Sequence, residues 1–125
     1  ARARAEAALA RVGLAEAAQR RVATLSHGER RLLEVACALS LAPRAFVMDE
    51  PMAGLGTEGT GRLTALLAEL KRQAPILLVE HDMDAVFALA DRISVLVYGR
   101  VIATGTVSEI RANAQVRDAY LGENT

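Results

Sequence analysis

Residues 25–51 read LSHGERRLLEVACALSLAPRAFVMDEP, and this stretch decides the fold of the 125-residue chain. A short polar segment precedes an almost wholly apolar run, residues 32–41. After a proline, a brief apolar stretch leads directly into two adjacent carboxylates, Asp49 and Glu50. The pattern predicts a deeply buried helix, a turn, and a short buried strand that ends in paired acids.

The remainder of the chain alternates between helical and strand patterns, which predicts an α/β fold with a parallel or mixed sheet. The two central strands are solid apolar runs, so both of their faces are expected to be covered. Strands are predicted over residues 45–48, 76–79, 93–98 and 101–103, the last two as a hairpin. Helices are predicted over residues 2–12, 14–21, 26–42, 57–73 (capped by Thr57), 83–90 (capped by Asp82), 106–112 and 113–120. Thr106 and Glu109 have the spacing of a capping box. The buried stripe of the helix over residues 57–73 is expected to consist of Leu63, Leu66, Leu67 and Leu70.

Composition narrows the class of protein. Fifteen basic and fifteen acidic residues give a formal net charge of zero, and aromatic residues make up only 3%. Neither feature favours nucleic-acid binding. No apolar run is long enough to span a membrane and no secretory signal opens the chain, so we expect a soluble cytoplasmic chain. The single cysteine, Cys37, lies in the apolar run and is expected to be a buried core residue.

The paired acids are the strongest candidates for a functional site. Ligands of parallel α/β sheets bind beyond the carboxyl ends of the strands, where Asp49 and Glu50 are expected. Neighbouring strand residues point to opposite sides, which favours two tasks, one acid holding a metal and the other polarising a water. The structural alternative is an acid that caps the next element. His81 follows the next strand in the same way, although a lone histidine at a strand end is usually structural.

The polar segment 26–29 also has two interpretations. Ser26 and Glu29 have the spacing of a capping box, which explains a helix start without any ligand. A helix N-terminus is also an anion site, so phosphate binding is compatible with the same cap. The loop over residues 52–56, MAGLG, is either a plain surface turn or part of an interface.

Together these segments resemble an ATP-binding-cassette (ABC) ATPase. LSHGE stands for the signature loop LSGGQ, AFVMDEP for the Walker B box, MAGLG for the D-loop and VEHDM for the frame of the switch histidine. The resemblance implies an incomplete P-loop NTPase sheet, largely parallel, with part of the helical signature subdomain. Residues 1–42 would form that subdomain, and residues 43–125 the C-terminal part of the RecA-like ATPase core with tail helices.

The resemblance also implies residue roles. Asp49 would hold Mg²⁺ through water, Glu50 would orient the attacking water, and His81 would contact the γ-phosphate as a second catalytic residue. The signature residues would bind the ATP of the opposite subunit; they are Ser26, His27, Gly28 and Glu29. Two of them depart from the family pattern, since His27 replaces a glycine and Glu29 replaces a glutamine.

The family's phosphate-binding loop, GxxxxGK[ST], and its glutamine loop do not occur in these 125 residues. The resemblance therefore covers only the C-terminal part of a nucleotide-binding domain, and this fragment alone is expected not to hydrolyse ATP. The LSHGE signature, the MAGLG loop and the segment VEHDMDAVFALADRISVLVYGRVIATGT resemble the ATPases of branched-chain amino acid importers. The end of the chain, residues 109–122, resembles the tail of the same branch.

The function implied is that of an ATP-binding and hydrolysing subunit that energises such an importer. Its partners would be a second ATP-binding subunit and transmembrane permease subunits, which would hold it at the inner face of the cell membrane. Two alternatives stay open. One is a soluble ABC ATPase of DNA repair or translation, and the other is a non-catalytic interaction fragment with exposed apolar faces.

Overall fold

The computed structural model describes residues 1–121, and the chain forms two compact units, Ala1–Ala85 and Val86–Thr125. The helices are α1 (Arg2–Arg11), α2 (His27–Ser40), α3 (Gly56–Leu70), α4 (Met83–Leu89), α5 (Val107–Ala112) and α6 (Ala114–Val116). The strands are β1 (Phe46–Asp49), β2 (Ile76–Val79), β3 (Ile93–Val97) and β4 (Arg100–Gly105). Single 3₁₀ turns lie at Ala15–Ala17 and Val22–Thr24, and a π turn lies at Arg117–Leu121.

Helix α2 begins at the predicted capping box. The Ser26 hydroxyl accepts from the Glu29 N–H at 3.1 Å, and the Glu29 carboxylate accepts from the Ser26 N–H at 2.8 Å. The prediction of deep burial all round is wrong, because only Val35, Ala36 and Leu39 of α2 are buried. Helix α1 packs against α2, while Cys37 is exposed, so the expected core position of the cysteine is also wrong.

Strands β1 and β2 pair in parallel, with Phe46 opposite Ile76 and Asp49 opposite Val79. This pairing confirms the α/β fold with a parallel sheet. Burial alternates along β1, so that Phe46 and Met48 are buried while Val47 is 77% exposed. The expectation of two covered faces is wrong for the described residues, since the apolar pattern shows that a strand can be buried but not what is present to cover it.

Helix α3 carries the predicted apolar stripe, whose buried members are Leu63, Leu66, Leu67 and Leu70. Its start differs from the prediction. The helix begins at Gly56, after a Leu55 cap that makes no side-chain hydrogen bond, rather than after a Thr57 cap. Gly56 has φ +72°, a left-handed conformation that glycine adopts without a steric cost, and this turn sets the start of the helix.

The second unit is built on the predicted hairpin. Strands β3 and β4 are antiparallel, with Ile93 opposite Gly105 and a register shift between Val95 and Leu96. The predicted capping box of Thr106 and Glu109 starts α5. The core of this unit is a cluster of four buried side chains, Ile93, Val95, Ile110 and Val116.

None of the helices within residues 1–121 is both long and apolar enough to cross a membrane. The predicted division at residue 42 into a signature subdomain and an ATPase core stays a prediction. The end of the predicted tail resemblance, Gly122, lies outside the described residues.

The core of the first unit predicts a contrast between two leucines. Leu63 is 1% exposed and Leu41 is 78% exposed. We expect Leu63→Ala to lower the free energy of unfolding by about 2–5 kcal/mol, because it removes buried methyl groups and leaves a cavity. Leu41→Ala is the matched control and should change it by less than about 0.5 kcal/mol. Urea unfolding followed by circular dichroism measures both, and equal losses would contradict the packing described.

Candidate functional site

The parallel pairing of β1 and β2 brings together the polar residues that follow each strand. The Glu50 N–H donates to the Val79 carbonyl at 2.7 Å, which extends the strand pairing by one residue. The Glu50 carboxylate (Oε1) then lies 2.8 Å from His81 Nδ1. The two candidate catalytic side chains are therefore in direct contact, although 31 positions separate them in the chain.

The contact is open to solvent, with side-chain exposures of 46% for Glu50 and 71% for His81. The hydrogen bond to Glu50 raises the pKa of the His81 imidazole above its ordinary value, and the negative charge of Glu50 adds to this effect. The carboxylates of Glu80 and Asp82 act in the same direction. The pair can thus hold a proton between its two members while one carboxylate oxygen of Glu50 remains available to water.

Glu50 itself has an unusual backbone conformation. Its φ is +47°, in the left-handed region that costs a residue with a Cβ about 1–2 kcal/mol. Its carbonyl oxygen accepts a hydrogen bond from the Arg31 guanidinium on α2. Such conformations persist where surrounding contacts hold them, and they cluster at functional sites.

Asp49 ends β1 and is exposed. It lines a small cavity of about 180 Å³ together with Arg31 and Glu34 of α2. In residues 1–121 no group of three or more acidic, histidine or cysteine residues forms a metal cage. Mg²⁺ bound with a nucleotide needs only one or two carboxylates, because water and phosphate oxygens supply its other ligands. An exposed, single Asp49 carboxylate fits that donor set.

The signature segment, residues 26–29, is held by hydrogen bonds between its own residues, and it packs against the loop over residues 52–56. The Glu29 carboxylate holds the Ser26 N–H and lies 3.3 Å from Arg20, and the pKa of Glu29 is lowered first of all by the Ser26 bond. The His27 ring lies over Gly54, where an added Cβ would be 2.5 Å from His27 Cδ2. His27 therefore fits in this segment because residue 54 has no side chain.

Glu80 is a site residue that the sequence interpretation missed. Its two carboxylate oxygens accept from the Met52 N–H at 3.4 Å and from the Asp82 N–H at 3.3 Å. Glu80 thus joins the loop after β1 to the loop after β2. The signal available in the sequence was an acid directly before a histidine at a strand end. Asp82 caps α4 as predicted, accepting from the Ala85 N–H at 3.2 Å.

The fold and the polar residues beyond its parallel strands are those of part of an ATP-binding cassette. The chain superposes with a TM-score of 0.80 and 29% identity on the ADP conformation of MJ1267, an ATP-binding cassette of an ABC transporter, over 96% of this chain and 49% of that one. The family described as "ABC transporter" matches residues 1–53, and the family described as "Branched-chain amino acid ATP-binding cassette transporter" matches residues 100–124.

Two curated relatives refine the assignment. The high-affinity branched-chain amino acid transport ATP-binding protein LivG of Salmonella typhimurium is 44% identical over 92% of this chain and 46% of its own length. The corresponding protein BraF of Pseudomonas aeruginosa is 43% identical over the same shares. The chain is similar to part of the ATP-binding proteins of ABC transporters, as the motifs predicted. It spans about half the length of the curated relatives it matches.

The close approach of His27 to Gly54 predicts a measurable coupling between the two loops. Gly54→Ala should lower the free energy of unfolding by about 2–4 kcal/mol, because a Cβ is disfavoured at φ +76° and also overlaps the imidazole. In a His27→Ala background the same change should cost less, since only the backbone strain remains. A double-mutant cycle in urea measures the difference. Additive costs would show that the ring and the glycine do not interact.

The Glu50–His81 contact predicts a pH effect. Because its folded-state pKa is raised, protonated His81 adds stability that is complete below the ordinary pKa of 6.5 and is lost as pH rises through the raised value. Glu50→Gln should bring the pKa of His81 down, as an amide offers no negative charge. A pH titration followed by NMR of the His81 imidazole signals tests this. An unchanged His81 titration in Glu50→Gln would contradict the contact.

Proposed function

We propose that the chain provides the Walker B, switch-histidine and signature parts of an ATP-hydrolysing subunit that energises an ABC importer, with branched-chain amino acids as the transported class. The observation that carries the proposal is the 2.8 Å contact between Glu50 and His81 at the carboxyl ends of two parallel strands. The similarity to LivG and BraF, whose names state branched-chain amino acid transport, supports the substrate class.

In this proposal Glu50 orients the attacking water. Its carboxylate is half exposed and can accept a hydrogen bond from a water while His81 Nδ1 holds its other side. His81 fixes the direction of the carboxylate and offers its other ring nitrogen toward the γ-phosphate. This division of tasks suits phosphoryl transfer, which depends on positioning and on charge stabilisation more than on covalent chemistry.

Asp49 is the proposed residue that holds Mg²⁺, through water, beside the nucleotide. The ion would supply neutralisation of the phosphate charge. Asp49 ends β1 one residue before Glu50, so the residue that holds the metal and the residue that orients water are adjacent in the chain.

The signature residues Ser26, His27, Gly28 and Glu29 are proposed to face the ATP of a second ATP-binding subunit. The N–H groups at the start of α2 are suited to a phosphate. The Ser26 hydroxyl accepts from the Glu29 N–H in the capping box and keeps its own O–H as a donor, while His27 and the backbone supply further donors. Transmembrane permease subunits are the other proposed partners, and they would place the protein on the cytoplasmic side of the membrane.

The test uses the natural gene product that contains these residues, assembled with its permease. Glu50→Gln should reduce ATP turnover by at least about a hundredfold, because the water loses its carboxylate, while ATP affinity stays within about twofold. Glu6→Gln is the matched control, an exposed glutamate on α1 that pairs with Arg2 and whose change should leave turnover nearly intact. Turnover at the wild-type rate in Glu50→Gln would remove Glu50 from the proposed role.

A further inference from the structure

Arg31 on α2 reaches out of its helix into the turn after β1. Its Nη2 donates to the Glu50 carbonyl, and its Nη1 lies 3.6 Å from the Glu34 carboxylate. The side chain is 25% exposed. Arg31 Nε is buried and has no hydrogen-bond partner within residues 1–121. A buried donor without a partner lowers the stability of the fold. The hydrogen bond from Arg31 to the Glu50 carbonyl offsets this cost and stabilises the observed position of the guanidinium.

The backbone of Glu50 needs such a contact. Its left-handed conformation is stable only where neighbouring groups hold it. The N–H is held by the Val79 carbonyl at 2.7 Å, and the carboxylate lies 2.8 Å from His81. Both of these contacts come from β2 and the residues that follow it. The carbonyl contact with Arg31 comes from α2, the helix that begins at the signature segment.

We propose that Arg31 is a positioning residue that ties the signature helix to the backbone of Glu50. Helix α2 runs without interruption from its cap at Ser26 through Arg31. A displacement of the signature segment, such as nucleotide at that segment would cause, therefore moves Arg31 and with it the Glu50 carbonyl. The importance of this link for ATP hydrolysis rests on the proposed function of Glu50, whereas the link itself does not.

The test compares the backbone and side chain of Glu50 in variants of the full chain by NMR. Arg31→Met keeps most of the length of the side chain and removes its donors. We expect the amide of Glu50 to exchange with solvent roughly tenfold faster, because a charge-assisted hydrogen bond is lost from the turn. The imidazole ¹⁵N signals of His81 should shift at constant pH as the carboxylate loses its fixed position. Arg31→Lys retains one charged donor and should give intermediate values.

Arg30→Met is the matched control. Arg30 is the preceding residue of α2, and its guanidinium also donates to a backbone carbonyl, that of Ala23 at 3.1 Å. This variant should leave the Glu50 amide and the His81 signals at their wild-type values. Wild-type values in folded Arg31→Met, or equal changes in Arg30→Met, would overturn the inference. If Arg31→Met does not fold, wild-type values in Arg31→Lys would overturn it.

A second measurement separates this inference from the proposed function. In the natural gene product, Arg31→Met should lower kcat about tenfold and leave KM for ATP unchanged, since Arg31 acts through Glu50 and not on the nucleotide. A changed Glu50 turn with unchanged kcat would overturn the role of Arg31 in hydrolysis even where Glu50→Gln abolishes turnover. Normal turnover in Glu50→Gln would instead contradict the proposed function. The NMR measurement alone would then decide whether Arg31 positions the backbone of Glu50.

Discussion

The candidate site depends on the parallel hydrogen bonding of β1 and β2. The register sets Asp49 opposite Val79, and one further bond, from the Glu50 N–H to the Val79 carbonyl, carries the pairing past the end of β1. A shift of one residue would turn every side chain to the other face of the sheet and separate Glu50 from His81. Because the register is fixed over four residue pairs, the contact between the two side chains follows from backbone geometry.

Three loops around this point hold one another in place through contacts of different kinds. Glu80 joins the loops after β1 and β2 through two backbone N–H groups. His27 fills the space above Gly54, so the start of α2 rests on the loop after β1. Arg31 bonds the carbonyl of Glu50 from the same helix. Each contact links a segment that carries a candidate functional residue to a neighbouring segment, so the loops are positioned as a group.

The departure of His27 from the signature pattern has a local explanation. A histidine in place of glycine would crowd a loop packed against a residue with a Cβ, but Gly54 leaves room for the ring. The backbone of Gly54, at φ +76°, also favours glycine independently of the ring. The change at position 27 is therefore accommodated inside the chain, by a residue that the sequence interpretation had placed in a separate motif.

Local patterns in the sequence predicted the elements well where the signal was itself local. Both capping boxes, the leucine stripe of α3, the hairpin and the Asp82 cap depend on residues a few positions apart, and all are present. Predictions that required knowledge of distant neighbours were less successful. Cys37 is exposed and Val47 is uncovered, because apolar character shows only that burial is favourable and not which element supplies it.

The sequence by itself indicated the related family, most of the helices and strands in their order, and the acids and the histidine that follow the two parallel strands. These features depend on residue types that recur at short spacings along the chain. The helix predicted over residues 14–21 is wrong, since that segment holds only the 3₁₀ turn Ala15–Ala17. Only the tertiary structure decided that Glu50 touches His81, that Glu80 and Arg31 hold the surrounding backbone, and that Glu50 adopts a left-handed conformation. The physical reason is that contacts between residues 19 to 31 positions apart arise from strand register and helix packing, which no local pattern encodes.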